Sequence, residues 1–84
     1  MPISANQTSL WDLPAGGTAL IAGINGGIDA ATQRLIDIGF REGQRVTCLL
    51  TPGFGAPRVF AVGGATYSLN RAIAKRVQTI EPDV

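Results

Sequence analysis

The residues of this chain offer little material for catalysis. There is no histidine and a single cysteine, Cys48. Acid–base and nucleophilic catalysis ordinarily draw on such groups held against an activating partner. Cys48 lies between Val46 and Leu50, on the same face of a strand-like run, and reads as a small buried hydrophobe. The spacings of a structural zinc site are absent. The six carboxylates, Asp12, Asp29, Asp37, Glu42, Glu81 and Asp83, are spread along the chain. A hard cation needs them clustered, and borderline transition-metal ions also favour imidazole. Gly23 to Gly27 reads Gly-x-x-Gly-Gly, but lacks the lysine and hydroxyl of a phosphate-binding loop and the spacing of a dinucleotide fingerprint. The expectation is a protein that is not an enzyme and has no resident metal or cofactor.

What remains are residues suited to contact. Phe54 sits between Gly53 and Gly55, inside a loop flanked by Pro52 and Pro57. It either folds back onto the body or stands out as an apolar tip, and an exposed tip is a binding feature. Arg58 follows the loop and could add a charged anchor at the same edge. Trp11 carries the same ambiguity, weighted toward packing. Arg34 either meets a partner or pairs with Asp37 one helical turn on. Phe54, Arg58 and Arg34 are therefore the candidate partner-binding residues.

Charge narrows the partner class. Seven basic against six acidic residues leave a net charge of +1, and only Arg71, Lys75 and Arg76 cluster. Nucleic-acid binding wants a basic stripe, and single strands also want stacking platforms; neither is evident. No apolar run approaches the roughly 18 residues of a membrane-spanning helix. The first residues have neither the basic flank nor the apolar core of a signal peptide. A soluble, cytoplasmic protein without direct membrane insertion is expected.

The elements that must position these residues are short. Eighty-four residues with 45% hydrophobic content support one small core. Eleven glycines and five prolines suit tight turns between short strands. Met1 to Thr8 is polar and patternless, and a loose tail is expected there. Ser9 to Leu13 reads as a short turn pinning Leu10 and Leu13. Thr18 to Ile24 reads as a strand, with Leu20, Ala22 and Ile24 alternating on one face. Asp29 is a suitable N-cap for a helix whose face carries Ile28, Ala31, Leu35 and Ile38. Gly39 ends that helix, and Gly43 punctuates the turn before Val46. Arg45 to Thr51 is the next strand, with Val46, Cys48 and Leu50 sharing a face and Leu49 opposite. Arg58 to Val62 and Ala65 to Ser68 form a hairpin about Gly63-Gly64. Leu69 to Ala74 is a helical turn, Lys75 to Ile80 a last strand, and residues 81–84 a free tail. About five strands, one inserted short helix and one helical turn make a mainly β, small, partly open barrel over residues 9–80. Its open edges make self-association possible.

The string Arg34-Leu35, Gly39-Phe40, Gly43 and Val46 resembles the signature of the FeoA family. Leu10, Leu13 and Gly16 fit that family's opening, Pro57 and Val59 its return strand, and Leu69 and Ala74 its final turn. The resemblance covers about Leu10 to Ile80. It departs where Asn70 follows Leu69, with the arginine one place later at Arg71. It departs again where Gln33 takes the place of one of two basic residues before the leucine. The resemblance implies an SH3-like barrel and an accessory role in bacterial ferrous iron uptake. It further implies action on a FeoB-type membrane transporter with a cytosolic GTPase domain. Such families carry a transition-metal-binding label, for which this chain offers no ligand set. The same fold occurs in iron-dependent repressors, so a regulatory SH3-like domain binding a repressor or another soluble protein is the alternative.

Overall fold

The structure, a computed structural model, describes residues 7–25 and 29–81. Strand β1 is Gln7–Ser9 and leads into a 3-10 turn at Leu10–Asp12. Strand β2 is Thr18–Ile24, helix α1 is Ala30–Ile38 and strand β3 is Arg45–Leu50. Strands β4 (Arg58–Val62) and β5 (Ala65–Leu69), helix α2 (Arg71–Ala74) and strand β6 (Val77–Ile80) complete the chain. All neighbouring strands are antiparallel, in the order β1-β6-β2-β3-β4-β5. The sheet is therefore open, with β1 and β5 at its edges. The expected strand end at Gly26-Gly27 and the helix-face position Ile28 lie outside the described residues. So do residues 1–6 and 82–84 of the expected tails.

The sequence reading placed the loose tail through Thr8, but Gln7–Ser9 pairs with Gln78–Ile80. The reason lies on β6. Thr79 is buried at 1% exposure, and its hydroxyl needs partners there. It donates to the Thr8 carbonyl at 3.2 Å and lies 3.1 Å from the Thr8 hydroxyl. A polar segment with no strand pattern is thus recruited by a buried hydroxyl on the strand it covers.

Two bulges change which side chains face inward. Along β2 the register against β6 shifts between Ile21 and Gly23. Ala19 and Ile21 face the core, and Ile24 packs against it after the shift. The expected common face of Leu20, Ala22 and Ile24 is replaced by this arrangement. Along β3 the register against β4 shifts between Cys48 and Leu50. Val46 and Cys48 are fully buried, but Leu50 no longer shares their face and is 58% exposed. One extra residue on a strand reverses every later side chain.

Helix α1 starts and stops on local signals. The Asp29 carboxylate accepts from the Thr32 N–H at 2.8 Å, capping the N-terminus. At the other end Gly39 has φ +117°, a conformation that favours glycine. The Gly39 N–H reaches the Ile36 carbonyl and the Phe40 N–H reaches the Leu35 carbonyl, at 3.1 and 2.9 Å. This is a Schellman stop, and Leu35 and Phe40, the residues it brings together, are both buried in the core. The β4–β5 hairpin turns on Gly63-Gly64, with φ +60° and +86°, the backbone twist a two-residue hairpin demands. Asn70 caps α2 by accepting from the Ile73 N–H at 2.9 Å, which accounts for an asparagine after Leu69.

Candidate functional site

The β3–β4 connection carries the largest exposed apolar side chains. The bulge in β3 leaves Leu49 and Leu50 at 42% and 58% exposure. The loop beyond them closes with the Ala56 N–H on the Gly53 carbonyl at 3.3 Å. Phe54, at its tip, is 110% exposed, so its ring stands clear of the body. It is also the one non-glycine residue with positive φ, at +62°, among the described residues. Bulky side chains avoid this region, and backbone strain is concentrated at sites where a side chain must be aimed. Leu49 and Leu50 were missed by the sequence reading. Their signal is two adjacent leucines ending a strand before Pro-Gly, which no single face of a regular strand can bury together.

Arg58 opens β4 on the same hairpin, but its charge is engaged. The guanidinium lies 4.0 Å from the centre of the Trp11 ring and donates to the Trp11 carbonyl. Stacking of this kind is favourable by about 0.5–2 kcal/mol, more as water is excluded. Arg58 thus fastens the 3-10 turn to the start of β4, and Trp11 packs against the core as expected. Cys48 lies within reach of the same charge. Burial pushes its thiol pKa up, while Arg58 pulls in the opposite direction. A thiol held in its neutral form is a poor nucleophile and a poor metal ligand.

Arg34 is elsewhere, exposed on α1 at the rim of a groove shared with β5 and α2. It does not pair with Asp37. That carboxylate accepts from the Gln33 amide at 3.0 Å. The ion pair found among the described residues is Arg76 with Asp29, at 2.7 Å. The Thr32 N–H and then Arg76 hold the Asp29 carboxyl below its ordinary pKa. The basic cluster of Arg71, Lys75 and Arg76 is therefore partly spent on securing α1. Among the described residues, no three histidine, cysteine or acidic side chains are grouped as metal ligands. None of their helices is long and apolar enough to cross a membrane.

The remaining residues of the Arg34-to-Val46 string are structural. Leu35, Phe40 and Val46 are buried, and Phe40 meets Tyr67 edge-on at 5.5 Å. Gly39 forms the helix stop, and the Gly43 N–H bonds the Ile21 carbonyl at 2.7 Å. Leu69 and Ala74 also enter the core. The string is a folding device.

Residues 8–79 match the FeoA domain family. The chain belongs to the FeoA family. That family is one of small accessory domains associated with ferrous iron transport. The FeoA of Stenotrophomonas maltophilia, solved with zinc and described as a procaryotic SH3 domain protein, is 30% identical. The match covers 84% of this chain and 87% of that one, with a TM-score of 0.78. An iron uptake regulatory protein (FeoA) is 26% identical over 88% of this chain and 96% of that one, also at 0.78. A manganese-dependent transcriptional repressor contains the same fold. It is 21% identical, with a TM-score of 0.84 over 98% of this chain and 38% of its own. No curated protein matches the chain significantly. The mainly β, SH3-like fold expected from the sequence is the one found, with β1 as a sixth strand.

Proposed function

We propose that this FeoA-family chain is a non-enzymatic cytosolic module of bacterial ferrous iron uptake that acts by docking on a FeoB-type membrane transporter. The observation that carries this reading is Phe54: a fully exposed aromatic on a strained backbone, in the loop that follows the exposed Leu49 and Leu50. An exposed aromatic of that kind is costly to leave in water and suits a partner's pocket. Phe54 is the anchor. Arg58 holds Trp11 and the base of the hairpin, and Arg34 contributes a separate charged contact on α1. The FeoA of Stenotrophomonas maltophilia, for which a role as a ferrous iron transport activating factor has been suggested, supports the same assignment. Likeness to the repressor is a likeness of fold and carries no function.

The test is a binding titration of the full chain against the cytosolic domain of a FeoB-type transporter from the same genome. Saturable binding that weakens on loss of Phe54 is the expected result. No binding up to millimolar concentration, or binding indifferent to Phe54, overturns the proposal.

A further inference from the structure

We propose that the outer edge of β5, beside α1, takes up an extended acidic peptide segment of a partner protein as an added strand. The two sheet edges differ. β1 is described over Gln7–Ser9 alone. β5 has five residues in unbroken register with β4, with neither a bulge nor a proline or lysine to protect it. The two-residue turn makes Val62 and Ala65 the hydrogen-bonded closing pair. By alternation, Thr66 and Ser68 belong to the pairs that do not bond across to β4. Their N–H and C=O groups therefore point outward. No described residue hydrogen-bonds them there, because β5 pairs with β4 alone.

A groove of about 440 Å³ lies between α1, the second half of β5 and α2, and reaches the outward-facing Ser68. Tyr67, Ser68 and Leu69 all line it. Leu35 and Ile38 of α1 form the facing wall, and the Tyr67 hydroxyl bridges to the Ile38 carbonyl at 3.0 Å. The open edge offers backbone pairing and the groove beside Ser68 offers apolar contact, the two components of strand addition.

Charge selects the occupant. Arg34 is the charged residue lining the groove. A second copy of this chain pairing through its own β5 would bring Ala65-Thr66-Tyr67-Ser68-Leu69, which contains no carboxylate. An acidic residue in an extended segment meets Arg34 while its neighbours occupy the apolar wall. The site is separate from the Phe54 loop, and its test uses no transporter.

The experiment selects random displayed peptides against the full wild-type chain. The best peptide, made synthetically, is then followed by amide NMR and hydrogen exchange. The expected consensus alternates apolar residues around an aspartate or glutamate. The Thr66 and Ser68 amides should slow in exchange by at least about tenfold. Ser68→Pro removes an outward donor at an edge position that tolerates proline and should weaken binding by about tenfold. Arg34→Glu, at an exposed helix position, tests the site even if the proline variant fails to fold. It should weaken binding of the acidic peptide and restore it when the peptide's acid is changed to lysine. The proposal fails if nothing is enriched, or if the consensus has helical or P-x-x-P spacing. It fails equally if Thr66 and Ser68 stay unprotected, or if the chain dimerises through β5 instead.

Discussion

Replacing Phe54 separates a binding role from a folding role, and the two contributions can be sized. Its ring is fully exposed, so Phe54→Ala removes no core contact. The backbone at φ +62° is as strained with alanine as with phenylalanine, and the melting temperature should move by no more than a couple of degrees. Phe54→Gly goes further. It relieves about 1–2 kcal/mol of left-handed strain and adds about 0.5–1 kcal/mol of chain entropy to the unfolded state. The balance is about 0–1.5 kcal/mol in favour of folding. At roughly 4–8 °C per kcal/mol for a domain of this size, the glycine variant should melt at or above the wild type. Binding should respond in the opposite sense. Burying one phenylalanine in a partner is worth about 1.5–3 kcal/mol, so both variants should lose roughly 10- to 100-fold in affinity. The assays are thermal unfolding and a titration against the transporter's cytosolic domain. A variant that melts several degrees lower yet binds normally once folded would refute the reasoning, because Phe54 would then be supporting the fold.

Three further outcomes test the scaffold. Gly39→Val should destabilise by roughly 1–3 kcal/mol in chemical unfolding. An added Cβ there meets nothing within 4 Å, so the loss comes from the dihedral alone, and Gly39→Asn should be milder. The carboxyl of Asp29 is held low in the folded state by the Thr32 N–H and Arg76. Its contribution is present above about pH 4, the unfolded value, and is lost as pH falls through the lower folded value. Asp29→Asn keeps the cap but removes that titration, so its stability should fall less steeply in acid than the wild type's; equal slopes would rule the linkage out. Cys48, buried with a raised pKa, should react with a thiol reagent only on the timescale of unfolding, and rapid reaction of the native protein would show that the site opens.

Features coded by neighbours in the chain were legible beforehand. Asp29 as a cap, Gly39 as a stop and the Gly63-Gly64 hairpin each follow from dihedral preference or from a hydrogen bond within a few residues. So does the family string, since Leu35, Gly39 and Phe40 form one local stop motif. The candidate site was legible only in part. Phe54 stood out because glycines and prolines around it left it no strand to join. Arg58 looked like a free cation because its ring partner, Trp11, is 47 residues away.

The tertiary structure decided the rest. The sequence by itself determined where α1 begins and ends and which hairpin turns tightly. Those depend on energies of single residues and adjacent turns. It did not determine that Gln7–Ser9 is a strand, because that rests on the open edge of β6 and the buried Thr79 hydroxyl, 71 residues from Thr8. Nor did it determine the two bulges, which arise where β2 and β3 must each keep register with two neighbours at once. The β3 bulge turns Leu50 to water, and so its exposure exists only after the sheet has formed. Pairing energy between distant strands outweighs the alternation written along any one of them.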